Sequence, residues 1–125
     1  MNLKKIGDFG EKIACFYIKN KDYRILEKNF KKKLNQDINF GEIDIIAEKN
    51  NIIRFIEVKT LTNNNNISPE QRVDFAKQRK LKKLAQIWLN QNKISFNAKS
   101  QIDIISVRID LSLNKAKIRY FENAV

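Results

Sequence analysis

The chain has 125 residues, 42% hydrophobic and 31% charged, and its 25 Lys and Arg against 14 Asp and Glu leave a formal net charge of +11 at neutral pH. That length suffices for one domain with a single core, and the basic balance points to polyanionic partners unless the lysines are only a solvated face. With no histidine and one cysteine, His-dependent triads, intramolecular disulfides and zinc sites built on His and Cys are excluded.

From Leu3 to about Lys21, the apolar residues Ile6, Phe9, Ile13, Phe16 and Tyr17 recur at steps of three and four, which predicts a helix with that face in the core. Gly7, Glu11, Ala14 and Ile18 form a neighbouring row, drawing the Glu11 carboxylate toward small and apolar residues. Asp8, Glu11 and Lys12 interrupt any signal-peptide core, and no apolar run approaches the ~20 residues of a membrane span. The single thiol of Cys15, in an apolar run, suits a reducing compartment. The chain therefore reads as cytoplasmic, with no membrane partner.

Alternation from Tyr23 to about Lys32 predicts a half-exposed strand, and Asn35 to Asn39 a polar loop. Gly41 opens the first of two apolar strands in FGEIDIIAEKNNIIRFIEVKT, joined at Asn50-Asn51, a pair that tolerates left-handed backbone and suits a hairpin turn. After a loop of consecutive asparagines, Ser68 as N-cap, Pro69 at the first helical position and Gln71 predict a helix reaching about Asn92. Its apolar stripe through Val73, Ala76, Leu84, Ile87 and Trp88 puts Lys80 in the middle of the inward face and Lys77 at its margin. Gln101 to Arg108 and Lys115 to Glu122 read as strands. The order is helix, strand, hairpin, helix, strand, strand. Its strand, helix, strand unit predicts a parallel crossover, so the fold class is α/β, with one mixed β-sheet flanked by helices in a single domain over residues 1–125.

Along a strand, Phe55, Glu57 and Lys59 share one face and Ile56 and Val58 the other, while Glu42 and Asp44 share a face opposite Ile43 and Ile45. A register that brings Asp44 to Glu57 gathers two carboxylates and an ammonium at one point. Such a group is a common cross-strand ion pair on an exposed hairpin face. It also suits a hard divalent cation, because two carboxylates a few ångströms apart repel without one and oxygen-only ligands favour Mg²⁺ or Mn²⁺. A lysine two residues beyond the second carboxylate can orient or deprotonate a water, or neutralise charge on a phosphate.

Asp44 followed by Glu57-Val58-Lys59 resembles the core motif of the restriction-endonuclease-like, PD-(D/E)XK, nuclease superfamily. Gly7-Asp8-Phe9-Gly10-Glu11 with Ala14, then Gly41-Glu42-Ile43-Asp44-Ile45-Ile46-Ala47 and Phe55-Ile56-Glu57-Val58-Lys59-Thr60, are similar in order to the YraN family of small uncharacterised bacterial proteins. The likeness extends through Lys77-Gln78-Arg79-Lys80-Leu81 to Ile102-Asp103-Ile104-Ile105. The resemblance implies a restriction-endonuclease-like core, Asp44 and Glu57 as metal ligands with the Val58 carbonyl completing the shell, and Lys59 as the catalytic lysine. It adds Glu11 as a helical carboxylate at the metal, Lys80 with Lys77 and Gln78 beside it, and Glu42 in a supporting position or a salt bridge. Glu11 reads equally as an exposed helix acid, and Lys80 as a lysine whose stem packs on the sheet while its ammonium reaches water.

The expected function is a metal-dependent endonuclease that uses Mg²⁺ or Mn²⁺ to hydrolyse DNA phosphodiester bonds, with structured or branched DNA as its substrate class. A homodimer is the assembly by which related nucleases cut both strands. The alternative is a catalytically inactive nucleic-acid-binding module on the same fold, for which the basic surface suffices.

Overall fold

The largest apolar residues of the first helix are not the ones that hold it in place. In the computed structural model, which describes residues 3–33, 39–62, 75–95 and 97–125, helix α1 spans Leu3–Lys19. It buries Ile6, Gly10, Ala14 and Ile18, a row at successive four-residue steps. Phe9 and Phe16, expected in the core, are instead 44% and 71% exposed. The reason lies at Gly10, where an added Cβ would stand 1.9 Å from Thr60 Oγ1 and 2.8 Å from Thr60 Cβ. The helix backbone crosses the sheet against Thr60, this small-residue contact sets which row faces inward, and the aromatics are turned outward. Gly10→Ala is expected to destabilise the protein by about 1–3 kcal/mol through overpacking, despite alanine's better helix propensity. The measurement is a lower denaturant midpoint at unchanged m-value.

Five strands follow: β1 (Arg24–Lys33), β2 (Asn39–Lys49), β3 (Ile52–Thr62), β4 (Lys99–Asp110) and β5 (Lys115–Phe121), with helix α2 (Phe75–Gln91) between β3 and β4. They form one sheet in chain order, antiparallel throughout except for the parallel pair β3 and β4. This is the mixed sheet expected of an α/β fold. The predicted helix start at Ser68, Pro69 and Gln71, with Val73, lies outside the described residues. So do 35–38 and the asparagine loop at 63–67. Asn50 and Asn51, with φ of 54° and 62°, lie between the paired Lys49 and Ile52 and make the two-residue type I′ turn the sequence suggested.

The two helices cover opposite faces. On the α1 side Ile45, Ala47, Ile56, Val58, Ile105 and Val107 pack with Ile6, Ala14 and Ile18. On the α2 side Ile43, Ile46, Phe55 and Ile104 pack with Leu81, Leu84, Ala85 and Trp88. Because β3 and β4 are covered on both faces, their sequences are near-continuous apolar runs rather than strict alternations. No helix among the described residues is long and apolar enough to cross a membrane.

One carboxylate is sealed inside this sheet. Asp103 on β4 is fully buried and accepts hydrogen bonds from the Asn123 backbone N–H at 2.8 Å, from Gln101 Nε2 at 2.8 Å and from the Tyr120 hydroxyl. Arg54, buried on β3, approaches the same carboxylate at 3.4 Å, also donates to Glu122, and lies over the Tyr23 ring. Burial, then the hydrogen bond and charge of Asp103, push the Tyr120 hydroxyl above the usual tyrosine range. A folded-state value raised in this way stabilises the fold below the unfolded tyrosine value of about 10 and is lost as pH rises beyond it. Of the three tyrosines, Tyr120 is expected to form phenolate only together with unfolding. Phenolate absorbance and far-ultraviolet circular dichroism followed in one alkaline titration check this.

Candidate functional site

Side-chain alternation breaks at Asp44. Ile43 packs on the α2 side of the sheet and Ile45 on the α1 side, although regular alternation gives them one face. The fault sits opposite Asn29, whose φ of 55° falls between the register pairs Lys28↔Ile45 and Phe30↔Ile43. Asparagine tolerates this left-handed conformation better than most residues. Asp44 and Ile45 consequently both face α1. On the other edge of β2, the pairing with β3 runs from Lys49↔Ile52 to Ile45↔Ile56. One residue beyond Glu57, the Val58 N–H donates to Asp44 Oδ2 at 2.7 Å, so a carboxylate takes the place of a ladder carbonyl.

Glu11 from α1 and Glu42 and Asp44 from β2 each bring one carboxylate oxygen within 4.8 Å of the others. Asn29 spans two of them, its amide donating to Glu42 Oε1 at 2.7 Å and to Glu11 Oε2 at 3.3 Å. Burial, followed by the Glu57 charge and, less strongly, the Glu11 carboxylate, pushes Asp44 up to about 8 against the opposing Val58 N–H. A cavity of ≈ 450 Å³ opens beside Glu11 and Asp44, with Lys12, Phe16, Lys28 and Asn29 also in its lining.

Glu57 enters from the α2 side. Its Oε1 lies 2.9 Å from Lys77 Nζ and 3.5 Å from Lys59 Nζ. Burial pulls the Lys59 ammonium below the usual lysine range, with Glu57 opposing and Lys77 adding to the shift. Burial works against Lys77 too, but the Glu57 carboxylate outweighs it and holds Lys77 above that range. The site thus has two halves meeting where β2 and β3 separate: an acidic half under α1 and a Glu57, Lys59, Lys77 half under α2.

Several expectations change in detail. The close oxygen group is Glu11, Glu42 and Asp44, and Glu57 stands outside it. Val58 is tied to the site through its N–H. Lys80, expected on the inward face, is exposed, whereas Lys77 and Gln78 are half-buried. Helix α2 buries Leu81, Leu84, Ala85 and Trp88, and Lys77, four residues before Leu81, continues that row. The helical wheel misplaced the stripe because it counted Ala76, which is exposed, as core. Asn29 escaped sequence reading altogether, its only mark being an amide that interrupts the alternation of LEKNFKKK.

The donor chemistry suits a hard divalent cation. All three close ligand atoms are carboxylate oxygens, and the crowded Asp44 is unfavourable as an anion until a positive charge joins it.

Comparison with known proteins agrees in extent with these elements. The family model described as "Uncharacterised protein family UPF0102" matches residues 10–107, from Gly10 in α1 to Val107 in β4. A UPF0102 protein of Caldanaerobacter subterraneus subsp. tengcongensis is 42% identical, with 99% of this chain and 97% of the relative aligned. UPF0102 proteins of Clostridium botulinum strain 657 and Clostridium beijerinckii are 42% and 38% identical, each over 97% of this chain and over 94% and 93% of their own lengths.

Proposed function

The chain belongs to the uncharacterised protein family UPF0102, the YraN family, and on that footing we propose that it is a metal-dependent endonuclease hydrolysing DNA phosphodiester bonds, with structured or branched DNA as its substrate class. The observation that carries this reading is the joint between β2 and β3. There a half-buried Asp44, disfavoured as an anion by desolvation, Glu57 and Glu11, accepts the Val58 N–H and converges with Glu11 and Glu42, while Glu57 next to Val58 holds Lys59.

Glu11, Glu42 and Asp44 would hold Mg²⁺ or Mn²⁺, and Glu57, whose charge acts on Asp44 from β3, would be partly neutralised by it. A divalent cation there supplies charge neutralisation at the phosphate and a more acidic water. Lys59, held beside Glu57 as an ammonium, orients the attacking water and neutralises charge on the phosphate. Glu57 fixes the positions of Lys59 and Lys77 through its ion pairs, and Lys77 with Gln78 meets the phosphate from α2. Exposed Arg79, Lys80, Lys82 and Lys83 on α2 favour DNA at this face by charge. We take the setting to be the cytoplasm, where the Cys15 thiol stays reduced.

The test is incubation of the purified protein with branched, nicked, linear and single-stranded DNA in Mg²⁺ or Mn²⁺. Cleavage that EDTA abolishes is the expected result. No cleavage, together with no divalent binding by titration calorimetry, overturns the reading. The same basic face of α2 supports a second reading, a binding module without turnover. It is recognised by salt-sensitive DNA binding that persists in EDTA, unchanged by Asp44→Asn and Glu57→Gln, with no cleavage.

A further inference from the structure

The outermost ridge of α1 carries a pattern that the catalytic reading does not use. Lys5, Phe9, Lys12, Phe16 and Lys19 follow one another at steps of four and three, so they form a single row along the helix. All five are exposed. The row faces away from the buried Ile6, Gly10, Ala14 and Ile18, and at a rise of about 1.5 Å per residue it is roughly 21 Å long. Lysine and phenylalanine alternate along it. One flank opens directly on the acidic cavity, where Lys12, Phe16 and Lys19 take part in the lining beside Glu11 and Asp44.

An aromatic ring as exposed as that of Phe16, at 71%, leaves apolar surface in water that only an occupant can cover. A second copy of this helix is a poor occupant, because pairing along the row sets three lysines of each copy against those of the other. A strand of unpaired nucleotides satisfies both features, its bases having π-faces for the rings and its backbone carrying a charge between them. Duplex DNA offers the phosphates but keeps its bases stacked inside.

We propose that this ridge is a track for single-stranded DNA, with Phe16 and Phe9 as stacking platforms and Lys5, Lys12 and Lys19 as phosphate contacts. It delivers an unpaired segment to the cavity beneath Phe16. The location of the reacting phosphate in that cavity rests on the nuclease reading; the track itself does not. It narrows the substrate class to DNA with an unpaired stretch beside the scissile bond, such as a flap, gap or unwound branch.

The test is fluorescence anisotropy with a labelled oligothymidylate and a blunt duplex of equal length, both in EDTA, using wild type, Phe16→Ala, Phe9→Ala with Phe16→Ala, and Phe16→Trp. Circular dichroism confirms that each variant is folded. The alanine variants are expected to weaken oligothymidylate binding roughly tenfold or more, about 1.4 kcal/mol, while duplex affinity changes less than about twofold. Phe16→Trp is expected to retain affinity and to show quenching of the new indole by the oligonucleotide. Lys12→Gln is expected to lower the salt-dependence slope by about 0.7. Unchanged oligothymidylate affinity in the double variant overturns the proposal. So does an equal loss for both DNAs, or a loss of self-association with DNA affinity intact, which would make the ridge a protein contact. A wild-type protein that shows this binding pattern but never cleaves would sink the nuclease reading and leave the track standing.

Discussion

Asp44→Asn is expected to melt above the wild-type protein in EDTA while losing DNA cleavage by at least about a hundredfold. The side chain is half-buried beside the Glu57 and Glu11 charges, so replacing its carboxylate with a neutral amide relieves repulsion and desolvation, and an amide oxygen can still accept the Val58 N–H. Function and stability then move in opposite directions, as they do where a site is built for a ligand rather than for the fold. Glu57→Gln is expected to lose cleavage to a similar degree but to melt below wild type, because Lys59 and Lys77 lose their shared counter-ion. Differential scanning calorimetry of the two variants, paired with cleavage assays, checks the contrast. Identical melting of Asp44→Asn and wild type in EDTA would mean that the cluster holds no charge strain.

Asp103→Ala is expected to cost about 3–5 kcal/mol, the range for breaking a buried charge pair by removing one partner. The loss leaves Arg54 buried without that carboxylate and strands the Asn123 N–H, the Gln101 amide and the Tyr120 hydroxyl. Set against a total stability of roughly 5–15 kcal/mol, this is enough to lower the melting temperature by about 10–20 °C. Asp103→Asn is expected to fall between, since one of its two acceptor oxygens survives. Arg54→Met combined with Asp103→Leu is expected to recover the part of the loss that comes from the unpaired Arg54 charge, while the Asn123 N–H, the Gln101 amide and the Tyr120 hydroxyl stay stranded. Urea unfolding of the three variants gives the comparison directly.

The sheet was legible because its strands carry strong local signals: the Asn50-Asn51 turn, the alternation of the first strand, and the dense apolar runs that only a doubly covered strand needs. What the sequence misstated concerns helix rotation. In α1 the hydrophobic period admits two neighbouring rows, and the choice between them depends on Gly10 meeting Thr60, a contact between residues fifty positions apart that no local pattern records. In α2, Lys77 and Lys80 exchange roles for a similar reason, as the buried row follows the packing of Leu81, Leu84 and Trp88 on the sheet. The acids and lysines of the site could be named because their residue types are chemically unusual inside apolar strands. Their division into two halves could not, because it follows from the backbone fault at Asn29, and asparagine on an otherwise alternating strand has no distinctive signature.

The parallel pairing of β3 with β4 has a consequence during synthesis on the ribosome. Helix α1 and strands β1 to β3 carry the acidic residues and Lys59, and they can assemble by local steps because successive strands are neighbours. Strand β3 must then wait, with one edge bare, until some forty further residues supply β4, which pairs with it from Ile52↔Lys99 to Thr62↔Ile109. During that interval an apolar strand edge is open to any other extended chain. Arg54 lies in this waiting strand, and its charge keeps the unfinished segment from being wholly apolar until β4 brings Asp103 beside it.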